Sequence, residues 1–179
     1  MDGSSFLNPA AAVAAAGIHE GMRIAELGAG SGFFTRAAAR RAGDSGVVWA
    51  VDLNRDLLPR LKNVAAAEGL HNIEVVHGDI QHVGGSNLPG ASFDFCIIAN
   101  VLWAVECKPC LAEEAARILK RGGRALIVDW SGSWGGLGPH PRAVVGRTDA
   151  LTLFESHGFT PAGDIPAGGY HWGVILKKK

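Results

Sequence analysis

The sequence predicts an α/β fold, with a doubly wound, mostly parallel sheet of seven strands covered by helices on both faces. Two observations support this prediction. Apolar, β-rich runs alternate with helical segments along the 179-residue chain, and the first run enters a glycine-rich turn that opens a helix. The runs are almost uninterrupted, as in strands that are covered on both faces. Such alternation implies right-handed crossovers between parallel strands.

The predicted strands are six apolar runs, at residues 23–27, 47–51, 73–77, 93–99, 124–129 and 171–176. The predicted helices span residues 33–42, 56–68, 108–119 and 148–157, with a short amphipathic helix at 10–16 that follows Asn8-Pro9. Gly69 and Gly122 lie beyond two of these helices and are expected to form C-caps. Residues 158–159 and 170–172 are expected to belong to a closing antiparallel hairpin. A chain of this length is expected to form one domain, residues 1–179.

The first strand leads into glycines at alternate positions, Gly28, Gly30 and Gly32. Glycine permits the left-handed conformations of a tight turn and lets a ligand lie against bare main chain. The next helix directs free N–H groups, and the positive end of its dipole, towards this turn. The turn is therefore predicted to bind a polar, nucleoside-like ligand.

The spacing of these glycines disfavours a dinucleotide. A dinucleotide fingerprint has a third glycine three residues after the second, and Phe33 stands at that position. Glu26 precedes the turn, where a carboxylate suits a ligand with a cationic amino group better than a diphosphate. An NAD(P)-dependent oxidoreductase is therefore the less favoured alternative.

Residues 26–32, Glu-Leu-Gly-Ala-Gly-Ser-Gly, resemble the first motif of class I S-adenosylmethionine (SAM)-dependent methyltransferases. The resemblance implies a Rossmann-like, three-layer α/β/α fold, SAM as the cofactor, and methyl transfer to a small-molecule acceptor. It also implies that Glu26, Gly28, Gly30 and Gly32 bind the cofactor. A SAM-binding domain or assembly subunit without catalysis is the alternative from another class, because the chain contains nothing like a substrate-capping domain.

Two acidic residues follow the next strands. Asp52 ends the second strand, where a carboxylate can accept both hydroxyls of a ribose; the alternative is a helix N-cap. Asp79 follows the third strand, with an Asx-turn as its alternative. The resemblance implies that Asp52 binds the ribose and Leu53 packs on the adenine. It further implies that Asp79 accepts from the adenine amino group and that Ile80 contacts the ring.

The exit from the fourth strand, residues 93–103, resembles the fourth motif of the family, and the resemblance implies that Asn100 lies near the methyl donor. Asn100 is a candidate for cofactor binding and for catalysis. DNA adenine methyltransferases have Asn-Pro-Pro-aromatic here, whereas this chain has Asn-Val-Leu-Trp, so a nucleobase substrate is not supported. Trp103 either lines the substrate pocket or packs in the core.

The turn at residues 120–123 and the fifth strand resemble those of ubiquinone-biosynthesis-type and other small-molecule methyltransferases, with Arg121 in place of the usual proline. Asp129 ends this strand and is either a base or substrate anchor, or an acid that nearby backbone N–H groups satisfy. His140 and His171 are further candidates for a general base. The catalytic residue stays unknown, because methyl transfer from a reactive donor mainly requires positioning.

The glycine-rich segment 131–141 leaves the fifth strand at the edge where ligands bind. Its glycines permit the large backbone changes of a closing lid, and Trp134 and Leu137 are unusual in a solvated linker. We expect this loop to form part of the substrate side of the pocket. The alternative is that Trp134 packs on the sheet and the loop only spans the gap to the next helix.

Composition restricts the partners and the location. Seventeen basic residues balance seventeen acidic ones, which argues against a nucleic-acid partner, and no apolar run is long enough to cross a membrane. Three cysteines argue against a disulfide framework and favour the reducing cytoplasm. Cys107 and Cys110 have the spacing of a redox or zinc pair, but no second ligand pair accompanies them. A structural role at a helix start is favoured for them, and no metal is expected.

Overall fold

A computed structural model describes residues 6–179 as one seven-stranded sheet with helices on both faces. The strands are β1 (Arg23–Leu27), β2 (Val47–Asp52), β3 (Ile73–His77), β4 (Phe93–Ala99), β5 (Leu119–Trp130), β6 (Phe159–Asp164) and β7 (His171–Lys178). Their order is β3-β2-β1-β4-β5-β7-β6, and β7 runs antiparallel to both of its neighbours. The predicted fold class, a mostly parallel sheet with an antiparallel C-terminal hairpin, is confirmed.

The helices are α1 (Pro9–Ala15), α2 (Phe33–Ala42), α3 (Leu57–Ala67), α4 (Lys108–Ile118) and α5 (Arg147–Ser156), with a short 3-10 turn at Pro141–Ala143. Helices α1, α2 and α3 pack in one apolar cluster, and α4 and α5 pack in another on the opposite face of the sheet. Successive strand residues serve alternate clusters, as Ile24 and Ala25 do in β1. The central strands are therefore covered on both sides, which explains their uninterrupted apolar sequence.

Local signals fix most helix ends. The Asn8 side-chain oxygen accepts a hydrogen bond from the amide of Ala11 at 3.1 Å, and Pro9 begins α1, as the sequence predicts. Gly69 follows the end of α3 with φ at +74°, which confirms the predicted glycine stop. The predicted stop at Gly122 is wrong. Helix α4 ends at Ile118 because the next residue is already extended and belongs to β5.

The early start of β5 has a long-range cause. Leu119 pairs with Phe93, and the register then shifts before Phe95 pairs with Arg124. The residues between, which include Gly122 at φ +76°, form an irregular first part of the strand instead of a separate turn. The sequence pattern places the strand start at Arg124 because only the regular part shows an apolar run.

The topology brings candidate residues to one edge of the sheet. Strands β1, β2, β3 and β4 are parallel and end at this edge, whereas β7 begins there with His171. The sheet order reverses between β1 and β4, and in such folds ligands bind outside the strand ends at that reversal. Within residues 6–179, no helix combines the length and the apolar character that crossing a bilayer requires.

Candidate functional site

Two neighbouring cavities open at the reversal point between β1 and β4. The larger has a volume of about 570 Å³ and the smaller about 280 Å³. They share three lining residues, Gly28, Gly30 and Asn100, and so form one continuous cleft over the glycine turn. Asp52, Leu53, Asp79 and Ile80 line the smaller cavity, and Glu26, Trp130 and His171 line the larger.

The glycine turn requires its glycines for two different reasons. Gly28 and Gly30 have φ at +84° and +53°, in the left-handed region that side chains rarely adopt. A Cβ on Gly28 would also lie 2.5 Å from a methyl carbon of Val101, whereas one on Gly30 would meet no described atom within 4 Å. Gly28 therefore allows close packing, and Gly30 leaves bare backbone facing the cleft. The amides of Gly28 and Ala29 donate to the carbonyl oxygen of Val51 at 2.9 Å, which anchors the turn on β2.

Asp52 lines the smaller cavity from the end of β2 and holds the glycine turn. Its Oδ2 accepts a hydrogen bond from the Gly30 amide at 2.7 Å, and its Oδ1 accepts one from the Asn54 amide at 2.8 Å. The helix-capping alternative does not fit, because α3 begins only at Leu57. Each carboxylate oxygen keeps a further lone pair for a ligand hydroxyl.

Glu26 is a buried acid beneath the turn. Only 2% of its surface is exposed, and its carboxyl group accepts a hydrogen bond from the hydroxyl of Thr35 in α2. Burial raises the pKa of Glu26 to about 8; the Thr35 hydrogen bond opposes this rise, and the nearby Asp52 carboxylate adds to it. A cationic group in the larger cavity would lower this pKa and pair with the carboxylate.

The smaller cavity has an apolar floor and polar ends. Leu53 is 56% exposed at its mouth, and Ile80 lines it from the segment after β3. Asp79 accepts a hydrogen bond from the Gln81 amide at 2.9 Å, which is the Asx-turn that the sequence left as its alternative. The carboxylate also lies 3.4 Å from the ring of the exposed His82. Asp79 still lines the cavity, so the turn and a ligand role are compatible.

Two buried polar groups in the cleft have no partner within residues 6–179. They are the side-chain oxygen of Asn100 and both ring nitrogens of His171. Asn100 has φ at +58°, and its amide donates to Val128 at 2.8 Å, which fixes the turn that presents it. Buried polar groups are nearly always satisfied in folded proteins, so unpartnered ones in a cleft indicate a ligand.

Two of the other catalytic candidates lie outside the cleft. Asp129 is fully buried, and its two oxygens accept from the amides of Leu102 and Trp130, each at 2.8 Å. This is the alternative in which backbone N–H groups satisfy the acid; burial raises its pKa to about 6 against the opposing effect of these bonds. His140 is exposed and accepts from the Arg142 amide at 3.2 Å, as the cap of the 3-10 turn.

Neither Trp103 nor the loop at residues 131–141 lies where a substrate-side role would place it. Trp103 and residues 131–141 are not among the described residues that line the two cavities. Trp134 and Leu137 instead pair through two backbone hydrogen bonds of 2.9 Å in a small hairpin. The Trp134 ring lies 5.6 Å from the Tyr170 ring, and Tyr170 stands 5.3 Å from Phe6, which does line the larger cavity.

Sequence reasoning missed part of the lining. Phe6, Leu7 and Phe33 line the larger cavity, although the first two precede every predicted strand. Gln81 lines the smaller cavity and accepts from the Glu106 amide at 2.6 Å, which links the segments after β3 and β4. Apolar residues ahead of a helix carry no signal that separates a cavity wall from the core, so only the three-dimensional structure reveals them.

The structure joins Cys107 and Cys110, the pair with the spacing of a redox or zinc site, by a disulfide. Cys107 caps α4, and its sulfur accepts from the Cys110 amide at 3.3 Å. The predicted helix start at this motif is therefore confirmed, and the cysteine count, which argues against a disulfide framework, did not indicate this single local bridge. A separation of three positions at a helix start brings the two sulfurs together irrespective of the cysteine count. Among residues 6–179, no three His, Cys, Asp or Glu side chains form a metal-binding group.

Comparison with known proteins gives consistent matches. A C-methyltransferase of ubiquinone/menaquinone biosynthesis, UbiE from Laribacter hongkongensis, is 29% identical over 124 residues, which are 69% of this chain and 49% of that protein. The UbiE of Bordetella parapertussis is 30% identical over 116 residues, 65% of this chain and 43% of that protein. The chain spans about half the length of these curated relatives.

The fold recurs in solved structures. A SAM dependent methyltransferase from Aquifex aeolicus has a TM-score of 0.87 at 24% identity, with 97% of this chain and 91% of that one covered. An arsenic(III) S-adenosylmethionine methyltransferase from Chlamydomonas reinhardtii has a TM-score of 0.71 at 22% identity, over 90% and 64% of the chains. The model of a methyltransferase domain matches residues 18–146, which is well over half of the chain. The chain therefore belongs to the methyltransferase-domain family.

Proposed function

We propose that this protein is a SAM-dependent methyltransferase that acts on a small molecule. The observation that supports this most is the arrangement of Glu26 and Asp52, two carboxyl groups on either side of one bare glycine turn in a single cleft. SAM carries an ammonium group at one end and a ribose in its middle, so it offers a partner for each. When bound, it supplies a methyl group on a positively charged sulfur.

Each part of the cleft has a role in this proposal. Glu26 holds the ammonium group, with Thr35 orienting its carboxyl group. Asp52 receives the ribose hydroxyls, and Leu53 and Ile80 hold the adenine between apolar surfaces, with Asp79 at the edge of the ring. Asn100, which both cavities share, stands where the cofactor half meets the acceptor half.

The same features disfavour a nicotinamide cofactor. Phe33 is the first residue of α2 and 63% exposed at the cleft, where a dinucleotide site needs a small residue against the pyrophosphate. The buried Glu26 would also face a diphosphate unfavourably.

A small-molecule acceptor suits the larger cavity, whose volume of about 570 Å³ lies in the usual range of ligand pockets. The balanced charge of the chain supports no nucleic-acid partner. We infer a cytoplasmic location from the low cysteine count. Disulfides in the cytoplasm are usually redox-active, and Cys107 and Cys110 have the spacing of a redox-active pair.

Native mass spectrometry and thermal-shift titration test the cofactor. SAM and S-adenosylhomocysteine should raise the melting temperature by linkage, whereas NAD(H) and NADP(H) should not. Release of S-adenosylhomocysteine from SAM with a panel of small acceptors then separates an enzyme from a non-catalytic binder. Stabilisation by NAD(H) but not by SAM would contradict the proposal.

A further inference from the structure

The larger cavity has aromatic walls and few polar groups. Phe6, Phe33, Phe34 and Trp130 contribute apolar rings to its lining. The polar side chains that line it are those of Glu26, Ser31, Asn100 and His171. Glu26 already accepts from Thr35 and, in the proposed function, faces the cofactor. Asn100 lies at the junction with the smaller cavity, and Ser31 belongs to the exposed glycine turn, so His171 is the polar side chain that faces the acceptor half from outside the turn.

His171 is held in a fixed position. It pairs with Trp130 across β5 and β7, and the two rings are in contact, with centroids 4.2 Å apart and planes tilted by 37°. Both ring nitrogens are buried, and neither has a hydrogen-bond partner in the described chain. Burial lowers the pKa of His171 and so favours the neutral form of the ring. A neutral imidazole carries one nitrogen that can accept a hydrogen bond and, in catalysis, a proton.

The chemistry of the cavity lining restricts which acceptor molecule can bind at the His171 nitrogen. A flat apolar molecule fits between aromatic walls, because offset and edge-on ring contacts are favourable there. An entirely apolar molecule would leave the imidazole nitrogen buried and unpaired, and sites with such groups reject analogues that lack the matching donor. A molecule with one O–H, N–H or S–H group satisfies both conditions.

We propose that the acceptor is a flat, largely apolar molecule with a protic O–H, N–H or S–H group, and that His171 is the catalytic base that removes its proton. This inference rests on the proposed methyltransferase function. The X–H bond of the acceptor breaks with its electron pair kept on X, and the proton moves to the ring nitrogen. X bonds to the methyl carbon, the S–C pair stays on sulfur, and the imidazolium then releases the proton to solvent.

The chain offers matched variants for a test. His171→Phe keeps a ring against Trp130 but removes both nitrogens. His171→Gln keeps a hydrogen-bond acceptor but removes the base. His140→Phe alters an exposed histidine outside the described cavity lining and serves as the control.

The first measurement needs no turnover. Protein saturated with S-adenosylhomocysteine is titrated with p-cresol and with toluene, which differ by one hydroxyl group, by calorimetry and by ¹⁵N spectra of the histidine rings. We expect p-cresol to bind about tenfold tighter than toluene, the effect of one ordinary hydrogen bond, and to shift the His171 nitrogen signals. The preference should vanish in His171→Phe and persist in His140→Phe.

The second measurement is methyl transfer from labelled SAM to a panel of phenols, aromatic thiols and anilines. His171→Gln should lose about a hundredfold in kcat or more with unchanged affinity for S-adenosylhomocysteine, as expected when a general base is removed. If the wild type binds S-adenosylhomocysteine but shows no preference for p-cresol, or if His171→Phe keeps that preference, this inference is overturned and the proposed function stands. Failure of the wild type to bind S-adenosylhomocysteine would overturn the proposed function itself.

Discussion

The backbone amide of Gly30 donates a hydrogen bond to the carboxylate of Asp52 at 2.7 Å. A residue that the proposal assigns to the ligand therefore also holds the glycine turn in the shape that the ligand requires. The contact adds to the hydrogen bonds from the Gly28 and Ala29 amides to Val51, which also join the ends of β1 and β2. Changes at Asp52 should consequently affect both the pre-formed turn and the affinity for the cofactor.

Asp52→Ala should weaken binding of S-adenosylhomocysteine by at least about tenfold, because hydrogen bonds to a charged group contribute roughly 1.5–3 kcal/mol each. Calorimetry measures the affinity, and denaturant unfolding measures the stability. Asp56→Ala is the matched control, since within the described chain the Asp56 carboxylate caps no helix amide. Equal affinities in the two variants would show that Asp52 does not contribute to cofactor binding.

Gly30→Ala should reduce cofactor affinity while the protein stays folded. Gly69→Ala is a close control, because both glycines have positive φ and a Cβ on either would meet no described atom within 4 Å. Each substitution costs about 1–2 kcal/mol of backbone strain, so the two variants should unfold similarly. Only Gly30→Ala should bind S-adenosylhomocysteine weakly, and similar losses in both variants would argue against backbone contact at the turn.

Glu26 should make stability depend on pH. Its pKa is about 8 in the fold against 4.5 for a free carboxyl group, so between these values the folded state holds a proton that the unfolded state has lost. The contribution of Glu26 to the free energy of unfolding should therefore be highest below pH 4.5 and decline by at most about 1.4 kcal/mol per pH unit until pH 8. Glu26→Gln should lack this contribution, as denaturant titrations of both proteins at several pH values would reveal.

The same residue should link cofactor binding to a proton. An ammonium group beside Glu26 favours the ionised carboxylate, so binding below pH 8 should release a proton and strengthen as pH rises towards 8. Calorimetry in buffers of different ionisation enthalpy counts that proton. Release of the same number of protons by the Glu26→Gln variant would assign the effect to another group.

Trp134→Ala should raise the KM for the acceptor by a few-fold and leave the affinity for S-adenosylhomocysteine unchanged. Trp134 acts at a distance, since it contacts Tyr170, and Tyr170 contacts Phe6 at the wall of the larger cavity. The expected effect is modest because one intervening ring contact contributes about 0.5–1.5 kcal/mol. Leu137→Ala, in the same hairpin and with 45% exposure against 44% for Trp134, is the control. Deletion of residues 133–136 should have a larger effect in the same direction.

Reduction of the Cys107–Cys110 disulfide should lower the free energy of unfolding by at most about 2 kcal/mol, because the bond closes a loop of only four residues. Chemical unfolding with and without a thiol reductant measures this difference. A variant with serine at both positions should be insensitive to the reductant. Cys96 should stay unreactive throughout, since it is fully buried and burial raises its pKa. If the reductant changes the free energy of unfolding of the double serine variant, Cys96 is responsible instead.

The sequence predicted the parts of the fold that local pattern determines. Apolar runs located β1, β3 and β4 to the residue, and β1 and β4 are covered on both faces. It did not predict that β5 starts at Leu119, since that start depends on pairing with Phe93, twenty-six positions earlier. For the cleft, it named the residues that follow strands, whereas Phe6 and Gln81 reach the cavities through long-range packing.

Candidate residues without a distinctive spacing were harder to judge. Asp129 and His171 are acid and imidazole groups at two neighbouring strand positions on the same edge of the sheet. Only the surroundings separate them: the Asp129 oxygens face backbone amides, while the His171 nitrogens face no partner in the described chain. Hydrogen-bond satisfaction is a property of the folded neighbourhood, so the residue types alone could not make this distinction.

Because β7 runs antiparallel to its neighbours, it brings His171, near the end of the chain, to the same cleft. Glu26, the glycine turn, Asp52 and Asp79 all come from the first eighty residues, whereas Trp130 and His171 come from the last fifty. The family match ends at residue 146, before β7 begins. Under the proposed function, exchange of the segment after Trp130 between relatives would therefore replace the His171 side of the acceptor cavity, while the donor site and the walls formed by Phe6, Phe33 and Phe34 stay the same.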